Sequence, residues 1–139
     1  MGLFTQNTKE IRAKVQGVFH NTSNYVVAVQ HRSALRQFGS LIVSNVLNAT
    51  DSNRTFLLYF DKQGIYEAET SFSEKSQFLL MPWHEISDFS YRDKGGHILL
   101  SYTHLGQKRG YQIDFNGAIM KDNRENTLSL IQKDWNRVY

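Results

Sequence analysis

The chain has 139 residues and a formal net charge of +3, a length that suits one domain with one hydrophobic core. It contains no cysteine, which excludes disulfides, thiolate metal sites and cysteine nucleophiles, so a reducing cytoplasm is the expected compartment. No apolar run approaches the roughly 20 residues of a membrane-spanning helix, and we expect neither a transmembrane segment nor a secretory signal. No cofactor is expected either.

The positive charge is concentrated at the front of the chain. Up to residue 54 there are six Lys or Arg and two acids, whereas the remainder has ten and eleven. This excess is typical of a solvated helix face, the interpretation that we favour, or of a surface for an anionic partner. In the second case the partner-binding surface, here called the front basic surface, consists of Arg12, Lys14, Arg32 and Arg36.

Helical spacing governs the first part of the chain, up to about residue 48. Ile11, Val15, Val18 and Phe19 form one apolar stripe and predict a first helix. A second stripe of the same period consists of Ala34, Leu35, Phe38, Leu41, Ile42 and Leu47. Between the two stripes, residues 24–31 are rich in β-branched side chains, and periodicity leaves open whether they form a strand or a helix.

A period of two replaces the helical spacing after residue 54 and predicts an antiparallel meander. The first two strands flank a tight turn at residues 61–64, where Gly64 can adopt a positive φ. Pro82 ends the third strand, because proline has no N–H to give to a sheet. The predicted strands are residues 55–60, 65–69, 75–82, 87–92, 97–104 and 111–115.

The end of the chain returns to helical spacing. Leu128, Ile131 and Trp135 share one predicted apolar stripe, flanked by Leu130 and Val138. We predict that this helix closes the open end of the sheet with that stripe.

These elements predict an α+β fold. It is an antiparallel partly open β-barrel or sandwich of six to seven strands, capped by a C-terminal helix and preceded by an N-terminal helical extension. We expect one structural domain in which residues 1–52 form a basic extension packed on a barrel of residues 53–139.

The layout resembles the pleckstrin-homology-like (PH-like) superfold, in particular its small bacterial domains. The likeness covers residues 55–139 and is carried by the stretches LLYFDKQGIYEAE, LMPWHEISDFSYR and NTLSLIQKDW. It implies a binding module for lipids or proteins, with no catalytic residues to transfer. Lipid-binding members gather several basic residues at the first strand turn, where this chain has Lys62 alone, so the resemblance does not imply phosphoinositide binding at that site.

A second candidate site follows Pro82, where His84 and Glu85 are adjacent and Asp88 stands in place of the second histidine of H-E-x-x-H. That motif requires a helix, whereas the pattern here indicates a strand, so no metal site is expected. His84, Glu85 and Asp88 instead define the alternative function. This is a small hydrolase or isomerase using His84 and a nearby carboxylate in a barrel-mouth pocket.

The leading hypothesis is a non-enzymatic binding or scaffolding module for a protein or membrane-surface partner, because the chain has no nucleophile elbow, P-loop or G-x-G-x-x-G. Self-association through the N-terminal helices is a further hypothesis. Nucleic-acid binding is disfavoured, because acids interleave with the basic residues at the ends of the later hairpins.

Overall fold

A seven-stranded antiparallel sheet forms the body of the protein, with strand order β4-β3-β2-β1-β7-β6-β5. The computed structural model describes residues 8–30, 54–70, 77–117 and 119–138. The elements are α1 (Thr8–Phe19), β1 (Tyr25–Gln30), β2 (Arg54–Asp61), β3 (Gly64–Glu69), β4 (Leu79–Pro82), β5 (Ile86–Asp93), β6 (His97–His104), β7 (Gln107–Asp114) and α2 (Asn123–Gln132). The predicted fold class is confirmed. The second helical stripe lies outside the described residues.

Strand β1 lies within residues 24–31, the segment that could have been either a strand or a helix on sequence evidence. Its side chains alternate between the two faces of the sheet, so that Val26 and Ala28 join one apolar cluster while Tyr25 and Val27 join another. In the sheet it lies between β2 and β7. The sheet therefore uses residues from both sides of position 52, and a chain starting near residue 53 would lack a central strand.

The sheet curls until its two ends approach each other. Tyr102 on β6 places its hydroxyl 3.9 Å from the Met81 sulfur on β4, although four strands separate β4 and β6 in the sheet order. Trp83 directly follows β4 and Phe89 lies on β5, and the centroids of their rings are 5.8 Å apart. Because β4 and β5 share no ladder among the described residues, the result is a partly open barrel with its main core inside.

Helix α1 covers the outer face of β1, β2 and β3. Its stripe residues Ile11 and Val15 are fully buried, and the Phe19 ring stacks on Tyr59 with a centroid distance of 3.8 Å. The outward-facing side chains beneath this helix are Tyr25, Val27, Leu57, Tyr59, Tyr66 and Ala68. Both faces of these three strands are therefore largely apolar and covered, with Glu67 of β3 as the charged exception on the inner face.

The C-terminal closure differs in detail from the predicted stripe. Leu130 and Trp135 are buried in the main core and Ile131 packs against it, but Leu128 is 49% exposed. The prediction for Leu128 was wrong because the buried face of α2 carries Asn126, Thr127 and Leu130, so Leu128 lies outside it; the helix also ends at Gln132, before Trp135. Trp135 reaches the core from a separate left-handed turn at Asp134–Asn136.

Helix α2 also spans the weakest junction of the sheet. Strands β1 and β7 share a single register pair, Val29 with Gln112, among the described residues. The buried face of α2 opposite this junction begins with polar side chains, Asn123, Asn126 and Thr127, before it reaches Leu130. The helix is therefore attached to the sheet by hydrogen bonds at one end and by apolar packing at the other.

Candidate functional site

A groove opens at one end of the barrel, where the β2–β3 turn, the segment between β4 and β5 and the last described residues meet. Its volume is about 440 Å³. We call it the corner groove, and the described residues that line it are Lys62, Gln63, Trp83, His84, Ile86, Arg137 and Val138. A volume of this size falls within the range of small-ligand and peptide side-chain pockets.

The turn and the corner are tied together by hydrogen bonds. Trp83 donates through its indole N–H to the Asp61 carbonyl at 2.8 Å and through its backbone N–H to the Gln63 carbonyl at 3.3 Å. The Asp61 carboxylate in turn accepts from the Gln63 backbone N–H at 2.8 Å. The backbone of Lys62, which lies on this turn, is therefore held near the segment that carries Trp83, and both residues line the groove.

Gly64 allows the turn to approach β4 this closely. Its φ is +152°, and a Cβ atom at this position would lie 2.1 Å from the carbonyl oxygen of Met81. Any larger residue would push the turn away from the segment that carries Trp83.

The third wall comes from the left-handed turn at the end of α2. Asp134, Trp135 and Asn136 have φ values of 54°, 58° and 59°, a conformation that costs each non-glycine residue roughly 1–2 kcal/mol. Two contacts with Phe60 hold this turn in place. The centroid of the Trp135 ring lies 5.1 Å from that of Phe60, and the Asn136 side-chain amide donates to the Phe60 carbonyl at 3.0 Å. The turn directs the chain back so that Arg137 and Val138 reach the groove.

Arg137 is the best-oriented cation of the groove. Its guanidinium carbon lies 4.7 Å from the centre of the Phe89 ring, a cation–π geometry that restricts the side chain. Its Nη1 atom lies 3.8 Å from the Asp134 carboxylate, which is longer than a charge-assisted hydrogen bond of about 2.7–2.9 Å.

The lining of the corner groove combines positive charge with apolar surface. Lys62, His84 and Arg137 are basic or can become so, and no carboxylate is present among the described residues that line it. Trp83, Ile86 and Val138 supply the apolar part. Such a surface can hold an anionic group that adjoins an apolar one.

The structure brings two of the three residues of the predicted alternative site into one small group. His84 is 82% exposed at the groove, with its Nε2 atom 3.9 Å from a Glu85 oxygen. The other Glu85 oxygen lies 2.9 Å from Nε2 of His104, which is largely buried. Asp88 is exposed in a β-bulge of β5, with a φ of 53°. Within the described ranges, no three His, Asp or Glu side chains are arranged to hold a metal ion.

Half of the front basic surface can be located. Arg12 forms a two-point ion pair with Asp122, at 2.8 and 3.1 Å, and the Tyr25 hydroxyl donates to the same carboxylate at 2.7 Å. Burial alone would raise the pKa of Asp122, but the hydrogen bonds from Arg12 and Tyr25 outweigh it and hold that pKa below its ordinary value. Lys14 is half-buried, and Arg32 and Arg36 lie outside the described residues. The charge of Arg12 is therefore compensated within the protein.

A cluster of polar side chains lies inside the barrel, and the sequence analysis did not predict it. This interior polar cluster consists of Glu67, Tyr102, Arg109 and Tyr111. Arg109 donates to both Glu67 oxygens at 3.2 and 3.3 Å, and the Tyr111 hydroxyl donates to the same carboxylate. Burial raises the pKa of Tyr111 well above its ordinary value, and the neighbouring Tyr102 and Glu67 raise it further. The cluster links β3 to β7 across the interior.

Sequence reasoning also missed Arg137 as a groove residue, because a basic residue near the end of a helix is already favourable through the helix dipole and carries no sign of a binding site. Trp83 is buried in the core, yet one part of it lines the groove. The only early signal was Lys62 on the turn, which alone is too weak to define a site.

Comparison of the chain with models of protein families, with curated proteins and with solved structures found no match. In the ranges that the structure describes, no helix is long and apolar enough to cross a membrane.

Proposed function

We propose that this protein is a non-enzymatic, cytoplasmic PH-like binding module that docks a protein partner in the corner groove. The observation that supports it is the groove itself, in which basic and apolar side chains from three separate segments converge. Its kinship with the bacterial PH-like domains is part of this proposal and rests on the sequence pattern of a strand meander followed by one amphipathic helix.

The groove is preorganised for binding. Trp83 is held by two hydrogen bonds to the β2–β3 turn, and Arg137 by its position over the Phe89 ring. Side chains that are already ordered lose little conformational entropy when a ligand arrives, so more of the contact energy is retained as affinity.

The proposal is tested by selecting ligands without assuming their sequence. A library of random linear peptides is displayed against the intact chain, and enriched peptides are titrated into ¹⁵N-labelled protein. We expect the largest chemical-shift changes at the amides around Lys62, Trp83 and Arg137. Failure to enrich any peptide, or shifts that cluster on another surface, would contradict the proposed function.

A second candidate function is the hydrolase or isomerase, and one observation favours it: His84 and Glu85 stand together at the rim of the groove. Binding remains the better proposal, because Glu85 is already engaged by His104 and His84 projects into solvent, where a general base gains little from its surroundings. Turnover of p-nitrophenyl esters that disappears in a folded His84→Ala variant would support the enzyme.

A further inference from the structure

We infer that the segment recognised by the corner groove is a short acidic peptide in which an Asp or Glu adjoins an apolar residue. This inference rests on the proposed function and specifies its ligand. The carboxylate would bind between Lys62 and Arg137, with His84 at the rim, and the apolar side chain would cover Trp83, Ile86 and Val138.

The charge of the lining selects for a carboxylate. An arginine guanidinium offers paired donors that match two carboxylate oxygens, and Lys62 adds a second positive charge from the β2–β3 turn. Asp134, one of the groups near Arg137 within the protein, has its carboxylate 3.8 Å from the guanidinium and is itself 57% exposed. A ligand carboxylate at hydrogen-bonding distance would therefore interact with Arg137 more strongly than Asp134 does.

The apolar part of the lining selects against a bare anion. Inorganic phosphate or a free acid group would leave Val138, and the accessible parts of Trp83 and Ile86, in contact with water. A neighbouring aliphatic or aromatic side chain removes that surface from water, which favours binding. The volume of about 440 Å³ has room for an acidic side chain together with an apolar one.

The charges around the groove favour a peptide over a membrane surface. Lys62, Lys133 and Arg137 lie in the same region as Asp61, Glu85 and Asp134, so the formal charges there sum to zero when histidine is neutral. An anionic bilayer responds to the summed field over a distance of about 8–10 Å, where these charges cancel. A peptide inside the groove contacts the basic lining directly.

The inference is tested with the same displayed library, through the composition of the enriched peptides and the effect of charge reversal. We expect Asp or Glu one or two positions from Leu, Ile, Phe or Trp. Replacing that acid by Asn or Gln in a synthetic peptide, or Lys62 by Glu in the protein, should weaken binding about tenfold in fluorescence anisotropy. Lys94→Glu is the matched control, because it changes the net charge equally at the opposite end of β5 and should leave affinity unchanged.

Each other outcome has a defined meaning. Peptides that bind at the groove without an acid, or whose affinity is equal for Lys62→Glu and Lys94→Glu, would overturn the inference and leave the proposed function standing. Absence of any groove-binding peptide would overturn both. Co-sedimentation with phosphatidylserine vesicles that Lys62→Glu abolishes and Lys94→Glu preserves would replace the peptide by a lipid surface. Because Lys62 is exposed on a turn, its variant tests the inference even if an Arg137→Gln variant fails to fold.

Discussion

Asn123 of α2 bonds both backbone groups of Val27 in β1 through its side-chain amide. Its Oδ1 accepts from the Val27 N–H at 2.8 Å, and its Nδ2 donates to the Val27 carbonyl at 2.7 Å and to the Asp114 carbonyl at 2.8 Å. One turn further along the helix, the Asn126 side-chain amide donates to the backbone carbonyls of Tyr25 and Thr22, each at 3.0 Å. The two amides satisfy backbone groups of β1 that a neighbouring strand would otherwise satisfy.

Replacing Asn123 by Ala should therefore be among the most destabilising changes to α2. It leaves buried backbone groups on β1 and β7 without partners, at about 1–3 kcal/mol for each group, so we expect a loss of about 3 kcal/mol in the free energy of unfolding. Urea denaturation measures it, with the exposed neighbour Arg124→Ala as the control expected within about 0.5 kcal/mol. Equal losses for the two variants would show that the amide contacts do not hold the helix.

The corrected closure predicts a contrast between two leucines on the same helix. Leu130→Ala removes a fully buried side chain from the main core and should cost about 2–5 kcal/mol. Leu128→Ala, at a half-exposed position, should cost less than about 1 kcal/mol. Thermal and urea unfolding of the pair provide the measurement, and the reverse ranking would restore the stripe predicted from the sequence.

The interior polar cluster predicts strong non-additivity between β3 and β7. Arg109→Met alone leaves the Glu67 carboxylate buried without its cation, and we expect a loss of about 3–5 kcal/mol. The double variant Glu67→Leu and Arg109→Met removes both charges and should recover most of that loss. If the losses of the two single variants simply add in the double variant, the ion pair is not coupled.

Alkaline pH should weaken the fold through Tyr102. Burial, reinforced by the charge of Glu67, raises the pKa of Tyr102 above its ordinary value of about 10. A group whose pKa is raised on folding contributes stability below its unfolded pKa and loses it as the pH rises. We therefore expect the free energy of unfolding to fall above pH ~10, by up to about 1.4 kcal/mol per pH unit from this residue. Tyr102→Phe should show a shallower fall, and parallel curves for the two proteins would contradict this.

The sequence predicted the class of fold because period-two alternation marks strands on either side of Gly-containing turns. It did not place β1, whose run of Tyr25, Val26, Val27 and Ala28 is apolar on both faces and carries no alternation. Nor could it identify the buried face of α2, because Asn123 and Asn126 read as polar surface until the backbone groups that they bond are known.

The candidate site was harder to predict than the fold. Lys62, Trp83 and Arg137 are distant in the sequence, and only the curl of the sheet and the left-handed turn at Asp134–Asn136 bring them together. No short motif encodes that turn, since three consecutive left-handed non-glycine residues contradict local preference and are held by tertiary contacts. His84 and Glu85 drew attention because they are adjacent, although Glu85 is bonded to His104 from the neighbouring strand.

The single register pair between β1 and β7 gives the barrel a seam with mechanical consequences. Four strands lie on one side of this seam and three on the other. Helix α2 bridges it, because Asn123 bonds to Val27 of β1 and to Asp114 of β7. Stretching the molecule between a strand of each group should tear it along this line, and detachment of α2 should be the step that sets the rupture force.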